Sequence, residues 1–285
     1  MIWRKPSMPI WLNGVLANNA VAEFNLNDKG LLLGYGVFDT ALVIADKVAY
    51  REAHLEKLTK SCAALSLPVA SSFLSEMMEK AAKDLPLGVI RITVTGGVGP
   101  RGMAFSPEAK PNVIVSASPI AATIFCPEIR LVLTPLRRNE SSFTARIKTL
   151  NYLDAIMAVT EARQKSFDDA LFLNTAGHVA CSSTANLFMI RDGCLITPPV
   201  SDGILAGIMR ANILRFAKSR DIPVEERSIG YEELLEADDI FLTNSLRLIS
   251  QVTHLGEVAL PRRSAALMAL LESMVFDEIN YSRSQ

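Results

Sequence analysis

Along residues 89–95, apolar Ile90, Ile92 and Val94 alternate with Arg91, Thr93 and Thr95, a period of two that predicts a strand with one buried face. Ile10-Trp11-Leu12 and Val15-Leu16 flank Asn13-Gly14, a dipeptide suited to the positive φ angles of a tight turn, so a hairpin opens the fold. Leu31-Leu32-Leu33 runs into Gly34-Tyr35-Gly36 and then Val37 to Val43. This is a β-rich run broken where glycines allow close backbone approach, and the break reads equally as a pocket wall or a bulge. His54, Leu55, Leu58, Cys62 and Leu65 recur every three or four residues and predict an amphipathic helix with Arg51 at its start; a second helix is expected over Phe73 to Leu85. After a strand from Asn112 to Ala117, prolines and small residues punctuate the chain as far as Cys126-Pro127. That places a domain boundary near residue 120, giving domains 1–120 and 121–285.

In the second part, Ile129 to Leu133 reads as a strand, and Leu153, Ile156, Met157 and Thr160 predict a helix directly after Lys148. Two hairpins follow, Ala170 to Leu173 with His178 to Cys181, and Leu187 to Ile190 with Leu195 to Thr197, turning at Asn174–Gly177 and Asp192-Gly193. Pro198-Pro199 stops the last strand, and Ile204 to Arg210 enters a helix running to about Ser219. Leu267, Leu270, Leu271, Met274 and Val275 form a helical core stripe near the C-terminal end.

Composition narrows the function classes. A chain of 285 residues, 49% hydrophobic and 21% charged, can bury a sizeable core. With 29 basic and 30 acidic residues and no basic cluster interleaved with aromatics, neither nucleic acid nor an anionic membrane is an evident partner, which leaves small molecules. Cys62, Cys126, Cys181 and Cys194 lack CxxC spacing and the three histidines form no metal pair, so free thiols, a reducing compartment and no metal are expected. The stretch Met1 to Pro6 lacks the apolar run of a signal peptide and no segment approaches ~20 continuous apolar residues, so the expected location is the cytoplasm.

Lys148, within Arg146-Ile147-Lys148-Thr149-Leu150-Asn151-Tyr152, is the residue around which chemistry gathers. A lysine amine serves in covalent catalysis when apolar or cationic neighbours lower its pKa, and Ile147, Leu150 and Arg146 could do so; the plain alternative is a solvated lysine ahead of a helix. Gly96 to Gly102 has neither the lysine nor the following helix of a phosphate-binding P-loop, and reads either as a mobile loop carrying Arg101 or as a surface turn. The helix start after Gly207 offers unpaired N–H groups, as any helix start does. Thr243-Asn244-Ser245 could donate to an anion or close a turn.

In order along the chain, Leu33-Gly34-Tyr35-Gly36-Val37-Phe38-Asp39-Thr40, Tyr50 to Leu58, Ile147 to Leu153, Leu173-Asn174 through Gly177, Asn186-Leu187-Phe188, Leu205 to Arg210 and Phe241 to Ser245 together resemble the class IV aminotransferase family. The resemblance covers nearly the whole chain. It implies an α+β (mixed α/β) protein of pyridoxal 5'-phosphate (PLP) fold type IV, commonly a homodimer, with a smaller N-terminal α/β domain and a larger C-terminal PLP-binding domain containing a barrel-like sheet. It further implies that Lys148 forms the Schiff base with PLP and shuttles the substrate's α-proton. Arg51 would grip the phosphate with the Ser245 hydroxyl and the N–H groups of Ile208 and Met209. Tyr152 would reach the phenolic oxygen and Leu205 would pack on the pyridine ring. Arg101 would bind a substrate carboxylate, and Phe38 and Leu246 would help line the substrate pocket.

One departure matters. Five residues before Asn186 the family carries a glutamate that keeps the pyridine nitrogen protonated, and here Cys181 stands in its place. A thiol of pKa ~8.5 is mostly neutral at pH 7 and cannot stabilise a pyridinium as a carboxylate does, so a largely unprotonated ring and a weaker electron sink are expected. Tyr35 also replaces the acidic or small residue common between those glycines. Three readings follow: an aminotransferase acting between an amino acid (branched-chain or D-amino-acid type) and a 2-oxo acid, an aminodeoxychorismate lyase-type enzyme, or a degenerate PLP-binding protein without catalysis. Retention of Lys148, Arg51 and Ser245 together speaks against the last.

Overall fold

The computed structural model describes residues 8–17, 21–103 and 108–282; the stretch Met1 to Pro6 read above lies outside them. The chain forms two compact units, one of Met1–Ala122 with Lys148–Asn151, the other of Thr123–Ile147 with Tyr152–Gln285.

The first unit contains β1 (Ile10–Leu12), β2 (Val15–Leu16), α1 (Lys29–Leu33), β3 (Gly36–Ile44), β4 (Lys47–Val48), α2 (Arg51–Ala64), α3 (Ser71–Ala82), β5 (Leu87–Thr95) and β6 (Asn112–Pro119). Its strands form one antiparallel sheet in the order β2-β1-β6-β5-β3-β4. Alternation along β5 works as the sequence requires: Ile90, Ile92 and Val94 are buried in the core with Leu58, Cys62, Leu74, Met77 and Met78. Thr95 breaks the pattern because it is buried and donates to Asp28. The Leu31-Leu32-Leu33 run is helical rather than extended. Asp28 caps the helix by accepting from Gly30 N, and Gly34, at φ 66, ends it in the left-handed region.

Lys148–Asn151 belongs to this first unit, not to the sequence on either side of it. Thr149 bridges Val37, Phe38 N donates to Lys148 O at 2.9 Å, and Leu150 N donates to Gly36 O at 3.1 Å. The segment therefore lies as an added strand against the start of β3.

The second unit contains β7 (Ile129–Arg138), α4 (Phe143–Arg146), α5 (Leu153–Gln164), β8 (Asp169–Asn174), β9 (Val179–Ser182), β10 (Asn186–Arg191), β11 (Cys194–Thr197), α6 (Ile208–Ser219), β12 (Val224–Glu226), α7 (Tyr231–Leu235), β13 (Asp239–Asn244), β14 (Leu248–Leu255), β15 (Val258–Ala259) and α8 (Ala265–Glu278). Six of its strands close on themselves in the cycle β10-β13-β14-β7-β8-β9, because β9 pairs back to β10 through Cys181 and Asn186. Closure removes exposed edges and lets both faces of β8 and β10 be covered, which is why β8 is buried at every position. The β7-α5-β8 crossover joins parallel strands, with Ala158 and Ala162 of α5 packed on Ala170 and Phe172. The helix near the C-terminal end is present, but its buried stripe is Met268, Leu271 and Val275, while Leu270 faces solvent.

Gly36 marks how close the strands approach, since a Cβ there would lie 2.4 Å from Val94 O and 2.8 Å from Leu150 Cδ1. Gly36→Ala is expected to destabilise the protein by about 3 kcal/mol in urea unfolding. Gly177→Ala, in open space at φ +88, should cause only about 1 kcal/mol of strain; equal losses would show that packing at Gly36 is loose.

Candidate active site

In the first unit, backbone pairing holds Lys148 where its ammonium lies 4.5 Å from the centre of the Phe38 ring, and the Arg91 guanidinium lies 3.7 Å from the same ring. Phe38 is buried and Lys148 half-buried. The neighbouring residue, Asp39, is buried and pairs through Oδ2 with Nδ1 of fully buried His54 on α2. His54 Nε2 has no partner among the described residues. One helical turn further, half-buried Lys57 feels both the Asp39 carboxylate and the Lys148 ammonium. Desolvation pulls its pKa down to about 8, Asp39 opposes the fall and Lys148 adds to it.

The Arg51 guanidinium, at the start of α2, donates to Ser75 Oγ at 2.5 Å and pairs with Glu79, both on α3. Lys57 is the cation beside Lys148. Its signal was present as the His54–Lys57 spacing of three, which puts both side chains on one face of α2, yet a helix lysine reads by default as solvated. Arg101 lies exposed in the bend after Gly99-Pro100.

In the second unit, Tyr152 occupies the N-cap position of α5. Asn186, buried at the start of β10, donates from Nδ2 to Leu205 O at 2.8 Å, and a Cβ on Gly207 would fall 2.0 Å from its Oδ1. Asn186 thus fixes the loop leading into α6, which begins at Ile208 and not at Ile204. Gly207 offers no side chain to cap Ile208 and Met209, so their N–H groups stay available to an acceptor. Asn244 Oδ1 accepts from Leu246 N at 3.0 Å and Arg247 N at 2.8 Å, which shapes the turn bearing Ser245 and Leu246. Thr243 Oγ1 beside it is buried without a partner among the described residues.

Cys181 is buried in β9. Burial raises its thiol pKa, Arg138 partly offsets this by its charge and a hydrogen bond, and Asp169 raises it further. Arg138 itself lies 4.6 Å over the Phe172 ring, with Nε buried and unpartnered. The position therefore presents a neutral thiol and a cation. Among the described residues no group of His, Cys, Asp and Glu could hold a metal ion, and no helix is long and apolar enough to cross a membrane.

The chain as a whole is similar to known proteins. The family model described as "Amino-transferase class IV" matches residues 36–255. The crystal structure of 4-amino-4-deoxychorismate lyase from Pseudomonas aeruginosa is similar at 30% identity and TM-score 0.85, over 95% of this chain and 100% of that one. The branched-chain aminotransferase of Thermoproteus uzoniensis, solved with norvaline, is similar at 27% identity and TM-score 0.87, over 97% and 96%. A D-alanine aminotransferase of Listeria monocytogenes is 28% identical over 88% of this chain and 89% of its own.

The charge on Lys57 is testable without any ligand. Its folded pKa of about 8 lies below the ordinary 10.5, so between these values the unfolded chain binds more protons and stability rises with pH. Lys57→Met is expected to exceed the parent in stability by up to about 3 kcal/mol below pH 8, the gap closing as pH climbs to 10.5. A difference that ignores pH in paired urea melts would mean that the amine is solvated.

Proposed function

Because the chain belongs to the class IV aminotransferase family, we propose that it is a PLP-dependent aminotransferase moving an amino group between an amino acid of branched-chain or D-amino-acid type and a 2-oxo acid. The observation that carries this reading is the Lys148 amine, fixed by main-chain pairing over Phe38 beside a second lysine. When bound, PLP supplies an aldehyde reactive toward amines and a ring that draws electron density from the substrate's α-carbon. Of the groups proposed below to hold it, the buried neutral thiol of Cys181 is the one that suits it least.

Lys148 would hold the cofactor through its aldehyde carbon and would move the proton at the substrate's α-carbon. Arg51, which also contacts Ser75 and Glu79, grips the phosphate, and Lys57 is a second cation of the same unit. Uncapped Ile208 and Met209 N–H groups and the Ser245 hydroxyl are further phosphate donors. Tyr152 serves the phenolic oxygen and Leu205 the ring face. Phe38 and Leu246 line the substrate site, and Arg101 takes the substrate carboxylate. At the ring nitrogen Cys181 and Arg138 offer no carboxylate, which supports an unprotonated ring.

A homodimer in the cytoplasm fits this reading. Each unit exposes contiguous apolar side chains, Leu31, Leu32 and Leu33 in the first and Leu153, Ile156 and Met157 in the second, and all four cysteines are free. The lyase reading is favoured by the 30% identity with the Pseudomonas aeruginosa enzyme, at least as high as with the transaminases above.

The deciding assay gives the PLP-loaded protein L-leucine or D-alanine with 2-oxoglutarate, and separately 4-amino-4-deoxychorismate with no acceptor. Oxo acid formed only with the acceptor present supports the transaminase; pyruvate released without it supports the lyase; neither product leaves a binding protein. Cys181→Glu is expected to alter the visible spectrum of bound PLP and raise kcat by about tenfold or more, a gain of little over 1 kcal/mol in the barrier. An unchanged spectrum and rate would remove the role given to Cys181.

A further inference from the structure

We propose that Asp28 is a positioning residue that sets the glycine loop bearing Arg101 and, through α1, ties that loop to the Lys148 segment. The inference rests on the reading that Arg101 takes a substrate carboxylate. Asp28 is fully buried, and a carboxylate removed from water has to be matched by donors. Among the described residues three neutral groups donate to it: Gly30 N at 2.6 Å to Oδ1, Thr95 Oγ1 at 2.6 Å and Asn112 Nδ2 at 2.7 Å to Oδ2.

Thr95 is the last residue of β5 and Asn112 the first of β6, so one carboxylate joins the start of α1 to both roots of the connection that begins Gly96-Gly97 and carries Arg101. Main-chain contacts reinforce the join. Lys29 N donates to Gly97 O at 2.9 Å, Asp28 bridges Val98, and Gly96 N donates to Tyr35 O at 2.8 Å. There is no slack at Gly97, where a Cβ would lie 1.9 Å from Lys110 O.

The other end of α1 meets the Lys148 segment. Asn151 Nδ2 donates to Gly34 O at 3.3 Å, and a Cβ on Gly34 would fall 2.6 Å from Asn151 Oδ1. α1 is thus a short strap with the loop of Arg101 at its first residue and the segment of Lys148 at its last. Asp28 takes no part in chemistry; it fixes the roots of the loop that carries Arg101.

Asp28→Asn keeps an oxygen for Gly30 N but turns a donor toward the Asn112 amide, and Asn112→Asp in the same chain restores an acceptor there. The test compares how fast the visible band of the PLP-loaded protein is lost to aminooxyacetate, which carries a carboxylate, and to methoxyamine, which does not. Arg101→Met should lower the aminooxyacetate-to-methoxyamine rate ratio. Asp28→Asn should lower it about tenfold with the methoxyamine rate within about twofold of the parent, as expected for losing one charged hydrogen bond, and the double variant should recover most of the ratio.

In the cofactor-free protein, trypsin should cut after Arg101 faster in Asp28→Asn than in the parent. Should Asp28→Asn fail to fold, Asn112→Ala, which removes one donor, should lower the ratio about threefold. A ratio unmoved by Asp28→Asn while Arg101→Met lowers it, an equal slowing of both reagents, or no recovery in the double variant overturns the inference. A ratio unmoved by Arg101→Met overturns the carboxylate reading itself, and this inference with it.

Discussion

Two main-chain hydrogen bonds and one bridge, between residues 148–150 and the start of β3, decide where the Lys148 amine stands. The sequence around Lys148 runs through the second unit, yet these few bonds bind its four residues to the first. Main-chain pairing of this kind places a side chain with little freedom, because the strand spacing is fixed and only a glycine at 36 leaves room for the approach. Everything near the amine follows from that register: the Phe38 ring beneath it, and then Asp39 with His54 and Lys57 behind.

The charge balance near Lys148 suits an anion. Lys57 and Lys148 lie near the Asp39 carboxylate, which is already paired with His54, and Arg91 lies on the same Phe38 ring as Lys148. Keeping Lys57 protonated in a poorly solvated place opposes folding, which is the reason its pKa falls, and an anionic partner would reverse that penalty. In the second unit the buried thiol of Cys181 faces Arg138 instead of supplying negative charge.

Much of the architecture was legible because its signals are local. Period-two alternation marked β5, Asn13-Gly14 marked the opening hairpin, and three-and-four spacing marked α2. What was missed depends on partners distant in sequence. Barrel closure needs β9 to meet β10 and β7 to run parallel to both β8 and β14, pairings that no local pattern encodes. Leu31-Leu32-Leu33 looked extended because three adjacent leucines fit a strand, while the helix is set by its ends, Asp28 and Gly34. Lys57 was not singled out because a helix lysine reads as solvated, and only the packing of α2 on β3 brings it near Asp39 and Lys148.

The most direct test of the amine's role is borohydride reduction of the PLP-loaded protein followed by mapping of the labelled peptide. The account predicts a single pyridoxyl group on Lys148, with Lys57 unlabelled. A label on Lys57 or another lysine, or none at all from a protein that holds PLP, would contradict it.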